Sequence, residues 1–218
     1  MVKLNPEIAE LLGMHVGDGT LYKTNRGLVW EMRGSLEEKE YYTNHVVPLL
    51  KKIFKKEYKA KFRSGGKQGC FGIQTSDNTL AELLISFDFP IGSKTKTVTI
   101  PRQIKTAKPD IKKAFIRGCF DTDGCLRFER KNKDKNHKYP RLEFSTSSEM
   151  LCEDIFAMLV QLGFRTHKWG KKEFKVSLAG IDNLEKFIKE VKPKNKRHLN
   201  KYRFWKNNGY RNPDAAVA

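Results

Sequence analysis

Two stretches of this chain end a predicted helix on a carboxylate followed by glycine, and they do so in the same order. The first is Leu11-Leu12-Gly13-Met14-His15-Val16-Gly17-Asp18-Gly19; the second is Phe115-Ile116-Arg117-Gly118-Cys119-Phe120-Asp121-Thr122-Asp123-Gly124. Gly13 matches Gly118, Asp18 matches Asp123, and Gly19 matches Gly124, with the two acids 105 residues apart. A single Asp-Gly is an ordinary turn signal. Two in matched context make an internal repeat, which constrains the fold more than any single element does.

Gly13 and Gly17 lie four apart on one helix face, as do Gly118 and Thr122. Residues without a bulky side chain let two helix backbones approach closely. Packing along those faces predicts that the C-terminal ends meet and that Asp18 and Asp123 lie side by side. The glycine after each acid suits a left-handed helix-ending turn. Carboxylates are unfavourable at the negative end of a helix dipole, and two at adjacent ends are worse. A divalent cation resolves the conflict, because a hard ion takes carboxylate, carbonyl and water oxygens. Such an ion can polarise a phosphate and activate water.

The rest of the chain repeats around these helices. Asn5 caps the first helix, with Pro6 in its first turn. A hairpin follows around Asn25-Arg26-Gly27, then an amphipathic helix over 36–54 kinked at Pro48. Residues 58–63 and 70–75 form a second hairpin turning at 64–67, with Tyr58, Ala60 and Phe62 inward; 77–87 is a short helix. In the second half, 125–131 and 139–146 pair around a charged loop. Residues 147–162 form a helix with Met150, Leu151, Ile155, Met158, Leu159 and Leu162 on its apolar face. Then 164–169 and 174–178 pair, and 181–191 closes the repeat. The fold class is α+β: two pseudo-symmetric αββαββα repeats at 1–90 and 109–191, a linker at 91–108 and a basic tail at 192–218. Pro213 to Ala218 reads as a disordered end.

Lys and Arg number 43 against 25 Asp and Glu, a formal net charge of +18. An excess of that size implies a polyanionic partner, with nucleic acid first among them. The four cysteines form no CxxC pair, so no zinc site is read. They suit a reducing, intracellular setting. No apolar run is long enough to span a membrane, and no signal-peptide core is present.

With the paired motifs, the αββαββα order and this charge, the chain resembles a single-chain, two-motif LAGLIDADG homing endonuclease of the archaeal intron-encoded or intein-derived kind. The resemblance covers 7–191. It implies a monomer that cuts both strands of a long, asymmetric double-stranded DNA site across the minor groove and leaves short 3′ overhangs. It further implies Mg²⁺ as cofactor, with Mn²⁺ substituting and Ca²⁺ supporting binding without cleavage. By the same resemblance the metal ligands are Asp18 and Asp123, with the backbone carbonyls of Gly17 and Thr122. Val16 stands where the second motif has Asp121, a position that does not bind metal. The family also places basic residues around the scissile phosphates. Lys94 and Lys96 after the first half, and Lys194 and Lys196 after the second, lie in matching places, and one lysine from each pair is expected to serve. A polar residue near the end of each second strand falls near Gly34 or Ser35 in one half and at Ser145 in the other.

The resemblance makes the two sheets a saddle on the DNA major groove. Outward strand positions are mostly cationic or polar: Tyr22, Arg33, Lys59, Lys61, Arg63 and Gln74, then Arg127, Glu129, Lys131, Arg141, Glu143, Arg165, His167 and Lys175. Arg and Gln can pair bidentately with guanine and adenine, and Glu can accept from cytosine. The loop 131–135 and the basic tail suit phosphate contacts. Two other functions fit the same charge: an RNA-binding maturase, which would not need the acids, and a DNA-binding regulator, a class marked by their loss. The chain ends at Ala218 without a His-Asn pair, so protein splicing is not expected of it.

Overall fold

The computed structural model describes residues 3–64, 69–130 and 136–210. The 64–67 turn thus lies mainly outside the described residues. The 131–135 loop with Lys131, and the Pro213–Ala218 end, lie wholly outside them.

Helix α1 (Pro6–Val16) starts as its sequence predicts: Asn5 accepts from the Ile8 amide at 2.9 Å, and Pro6 occupies the first turn. Strands β1 (Gly19–Thr24) and β2 (Gly27–Gly34) follow as a hairpin, with Gly27 at φ +117°. The next helical stretch is not uniform. A 3₁₀ turn (Leu36–Glu38) and α2 (Lys39–Tyr41) lead into a π turn (Tyr42–Val46), and then α3 (Val47–Phe54). Pro48 lies in the first turn of α3; it has no amide to donate, and the widened turn just before it absorbs the mismatch. Strands β3 (Ala60–Arg63) and β4 (Cys70–Thr75) and helix α4 (Asn78–Ser86) complete the first repeat.

The connection carries a short helix, α5 (Arg102–Lys105). The second repeat runs α6 (Pro109–Asp123), β5 (Gly124–Glu129), β6 (Tyr139–Thr146), α7 (Glu149–Gln161), β7 (His167–Trp169), β8 (Phe174–Ala179) and α8 (Ile181–Glu190). The antiparallel sheets have orders β1-β2-β4-β3 and β5-β6-β8-β7, with the later hairpin of each repeat reversed onto the central strand. The register is also shared: Gly19 faces Met32, and Gly124 faces Phe144.

One face of each sheet packs on the helices. Leu21, Trp30, Met32 and Ile73 are buried in the first, and Leu126, Leu142, Phe144, Val176 and Leu178 in the second. The alternating residues face outward. Trp30 Nε1 donates to His15 Nδ1 at 3.1 Å and so ties β2 to α1.

Three expectations are corrected. Residues 192–210 are not a bare tail, since Lys196–Asn208 form a helix, α9, capped by Asn195 and anchored by Trp205 stacked on Phe128. Its fully or largely buried positions, His198 and Trp205, provide the apolar stripe that a count of its charges hides. Met150 and Phe62 are exposed, because Met150 occupies the first turn of α7 and Phe62 the edge strand β3. Finally, Gly19 and Gly124 do not make left-handed turns. Gly124 is extended at φ −75°, and both residues open strands. Space, not φ, requires glycine there. A Cβ on Gly19 would lie 2.5 Å from His15 Nδ1, and one on Gly124 would lie 2.5 Å from the Phe120 carbonyl oxygen.

Candidate active site

The core of the site is the α1–α6 contact. A Cβ on Gly13 would meet the Phe115 carbonyl oxygen at 2.1 Å, and one on Gly118 would meet that of Glu10 at 2.2 Å. At the C-terminal ends, a Cβ on Gly17 would meet Thr122 Oγ1 at 2.1 Å and Asp123 Cγ at 3.3 Å. The small-residue faces are therefore the interface, and they bring the two motif ends together. Beside the glycine crossing Arg117 donates to Glu10 at 2.5 Å, a buried cross-repeat ion pair, and His45 Nε2 lies 2.6 Å from the other Glu10 oxygen.

Asp18 is held well above the ordinary carboxylate range, at about 7. Burial is the main cause, followed by the charges of Asp123 and Glu38; Lys94 and Tyr42 oppose the shift. Tyr42 Oη lies 3.5 Å from Asp18 Oδ2. Asp123 opens to solvent yet shifts upward too, from desolvation by the protein packed around it and from Glu38, against Lys94. Both carboxyls are thus easier to protonate than an ordinary aspartate, because their charged forms are desolvated and face other carboxylates. Among the described residues no group of three or more His, Cys, Asp and Glu is placed to hold a metal ion. Two carboxylates completed by water and substrate oxygens suit Mg²⁺, which keeps most of its hydration.

Lys94 is the one predicted lysine that the fold delivers here. Its Nζ donates to the Val16 and Gly17 carbonyls at 2.7 and 2.9 Å, and burial lowers its pKa against the pull of Asp123 and Asp18. The Gly17 carbonyl, an expected metal ligand, is therefore already engaged by an ammonium. Thr122 turns its hydroxyl back to the Gly118 and Cys119 carbonyls at 3.0 and 3.2 Å. An open cleft of about 320 Å³ joins Gly17, Lys94 and Asp123 to Ser145, Thr146 and Ser147.

The remaining lysines stand elsewhere. Lys96 is exposed, and Lys196 on α9 pairs with Glu40 at 2.5 Å. Lys194 lines a separate cleft with Glu10, His45 and Arg117. In the second half the place of Lys94 is taken by Asn195, whose Nδ2 donates to the Asp121 carbonyl at 2.8 Å and to Glu38 Oε1 at 2.7 Å. The carboxylate of Asp121 accepts the Lys194 and Asn195 amides at 2.8 and 3.2 Å. Burial pushes its pKa up to about 7 in spite of those bonds. Sequence reasoning misses Asn195 and Glu38. An Asn-Lys pair preceding a helix is the signal for the first. For the second, it is the spacing of Ser35 and Glu38, which form a capping box.

The shared register sets Ser145 against Arg33, one residue before the expected Gly34 or Ser35. Met32 and Phe144 are equivalent, so Arg33 corresponds to Ser145 and Gly34 to Thr146. The space a side chain at Gly34 would need holds Glu38, whose Oε2 would lie 2.3 Å from its Cβ.

Of the outward residues, Tyr22, Arg33, Lys61, Arg63 and Gln74 share the outer face of the first sheet, and Lys59, just ahead of β3, lines a surface cleft with Lys61, Arg63 and Gln74. Arg127, Glu129, Arg141, Glu143, His167 and Lys175 share that of the second. Arg165 precedes β7 and pairs with Asp182 at 3.0 Å, off that face.

Comparison with known proteins agrees with this geometry. The LAGLIDADG-like domain family matches residues 110–192. An uncharacterized protein of Methanocaldococcus jannaschii is 28% identical over 167 residues, 74% of this chain and 17% of its own length. The replicative DNA helicase DnaB of Rhodothermus marinus is 27% identical over 84 residues, 35% of this chain and 8% of its own length. The chain spans only 8 to 17% of these relatives. Among solved structures, the homing endonuclease I-DmoI in complex with DNA and Mn superposes with a TM-score of 0.59 at 18% identity, covering 87% of this chain and 97% of that one. I-WcaI bound to its DNA recognition sequence gives 0.58 at 16%, covering 88% and 83%. The N-terminal LAGLIDADG domain of WhiA gives 0.54 at 14%, covering 89% and 88%. The family match is confined to residues 110–192, and the chain as a whole shares the two-repeat fold of I-DmoI and I-WcaI.

Proposed function

We propose that this LAGLIDADG protein is a monomeric, site-specific DNA endonuclease that hydrolyses both strands across the minor groove in the presence of Mg²⁺ and leaves short 3′ overhangs. The observation that carries the reading is the pairing of Asp18 and Asp123 at adjoining helix ends, with the Lys94 ammonium close enough to feel both charges and a cleft alongside. I-DmoI, the similar structure described above, is bound to DNA and Mn. A divalent cation held by the two acids, with Mn²⁺ able to replace Mg²⁺ and Ca²⁺ supporting binding alone, would neutralise them and polarise a phosphate. The chain's own groups do the rest. Asp18 and Asp123 would hold that cation between the repeats, and Lys94 offsets charge that grows on phosphate oxygen as the P–O3′ bond breaks. Hydroxyls of Ser145, Thr146 and Ser147 order water in the cleft. Water adds to phosphorus, and the 3′ oxygen leaves with a proton.

In this reading 1–90 and 109–191 are the two half-site modules, 91–108 links them, and 192–218 is a C-terminal extension whose described part is α9. The outer sheet faces hold the major groove, and the basic surface supplies phosphate contacts. Both acids are retained, which a regulator would not require. Matching segments sit inside much longer chains, one of them a replicative helicase, which favours a self-contained module over a share in either host's activity.

The test is cleavage of a plasmid library with randomised inserts in Mg²⁺. Wild type should linearise a sequence-related subset, and Asp18→Asn and Asp123→Asn should not. Linearisation by both variants, or none by wild type across salt and temperature, would overturn the reading.

A further inference from the structure

The shared register places two carboxylates at equivalent points on the outer sheet faces. Glu31 and Glu143 each precede the residue that faces the strand-opening glycine, and each stands on the central strand of its sheet. Across the next strand Glu31 faces Gln74, and Glu143 faces Ser177. In a chain with a net charge of +18, an acid in the middle of each face that would meet DNA works against adhesion to a polyanion.

Each acid is also the hub of its face. Arg33 donates to Glu31 Oε2, which further accepts from Gln74 Nε2 at 3.2 Å and Tyr22 Oη at 3.3 Å. Gln74 bonds Tyr22 at 2.5 Å and accepts from Arg63. On the second face Glu143 is only 5% exposed. It binds Arg127 at 2.7 Å and Lys175 at 3.5 Å, while Glu129 joins Arg127 to Arg141 at 3.5 and 2.9 Å.

Resting on the endonuclease reading, we propose that Glu31 and Glu143 are a matched pair of specificity-determining residues. They act through their partners and hold Arg33 and Arg127 in the plane of the face, where the guanidinium can meet base edges. They also keep those cations from wrapping round the nearest phosphate. Non-cognate DNA offers phosphate contacts without base edges that satisfy the Arg–Glu pairs, so the carboxylates weaken that binding selectively. A cognate duplex keeps the pairs and adds base contacts. Discrimination is gained by repulsion of wrong partners as well as attraction of the right one.

The test uses the full chain in EDTA. Wild type first selects duplexes from a randomised library; Glu31→Gln, Glu143→Gln and the double variant are then titrated with the selected duplex and a scrambled one over a salt series. The double variant should lose about ten-fold or more in selectivity, chiefly by tighter binding of the scrambled duplex. Its salt slope on that duplex should steepen by about 0.9 per freed cation. Glu31→Gln, at the less buried position, should show the same change in sign with circular dichroism unaltered. Unchanged selectivity and slope in a folded double variant would overturn the inference and leave the endonuclease reading standing. If wild type selects no sequence, both fall together.

Discussion

Asn195 and Lys94 occupy the same place in the two repeats. Each donates to the carbonyl at the sixth position of its motif, Asn195 Nδ2 to Asp121 at 2.8 Å and Lys94 Nζ to Val16 at 2.7 Å. Only one of the pair carries charge, so the cation supply at the acid pair is one-sided.

Lys94→Met should therefore lower the cleavage rate by about a hundred-fold or more, the cost of losing a group aimed at developing charge. Lys96→Met and Lys196→Met should cut at rates close to wild type, because neither reaches the acids. Single-turnover cleavage of a selected site would show this. Binding of that site without metal should be unchanged in all three.

Asp18 should make the metal-free protein less stable as pH rises. Its folded pKa of about 7 lies above the ordinary aspartate value of 3.8, so between those values the folded state holds more protons than the unfolded one. Stability contributed by the bound proton is present below pH 3.8, falls through the window and is gone above about pH 7. Asp18→Asn lacks that loss. Relative to wild type it should gain up to a few kcal/mol between pH 4 and pH 8, because each pH unit crossed within the window costs wild type about 1.4 kcal/mol. Urea melts in EDTA at the two pH values would measure it.

Gly13→Ala and Gly118→Ala test the helix contact itself. Each added methyl would fall on backbone carbonyl oxygen at about 2.1 to 2.2 Å, where no rotamer change gives relief. A loss of about 3 kcal/mol or more is expected, at or beyond the upper end for overpacked cores. Cleavage should fall further than stability, since separating α1 from α6 separates Asp18 from Asp123. Thermal melts and cleavage of the surviving folded fraction would separate the two effects.

How much of the molecule is legible in its sequence depends on whether the determinant is local. Helix caps at Asn5, strand alternation and the repeat of Asp18 in Asp123 follow from spacing, and so do both sheets and the glycine interface. Lys94 is legible as one of two choices, because only the path of 91–101 decides which lysine turns inward. Glu38 and Asn195 carry only local capping signals, and their contact with each other is not legible. Their meeting joins residues 157 apart through a single hydrogen bond, and no periodicity marks such a pair. Helix α9 is hidden by its own charge, and the strand-opening glycines mislead because a close contact and a left-handed turn demand the same residue.

Asn195 supplies the last prediction, because it saturates its hydrogen bonds where the repeats meet. Its amide donates to the Asp121 carboxylate, its Nδ2 donates to Glu38 and the Asp121 carbonyl, and its Oδ1 accepts from the Arg197 amide at 3.0 Å to start α9. Truncation to alanine removes the helix cap, worth about 1 kcal/mol. It also strands a buried carboxylate oxygen and a buried carbonyl, at about 1–3 kcal/mol each. Asn195→Ala should therefore be destabilised by about 3 kcal/mol or more, whereas Lys196→Ala, one residue on and paired only at the surface, should change by about 1 kcal/mol or less. Asn195→Asp should be worse than alanine at neutral pH, since it keeps the cap but sets a third carboxylate against Glu38 and Asp121. Recovery of that variant as pH falls, measured by urea melts, would identify the charge and not the lost amide as the cause.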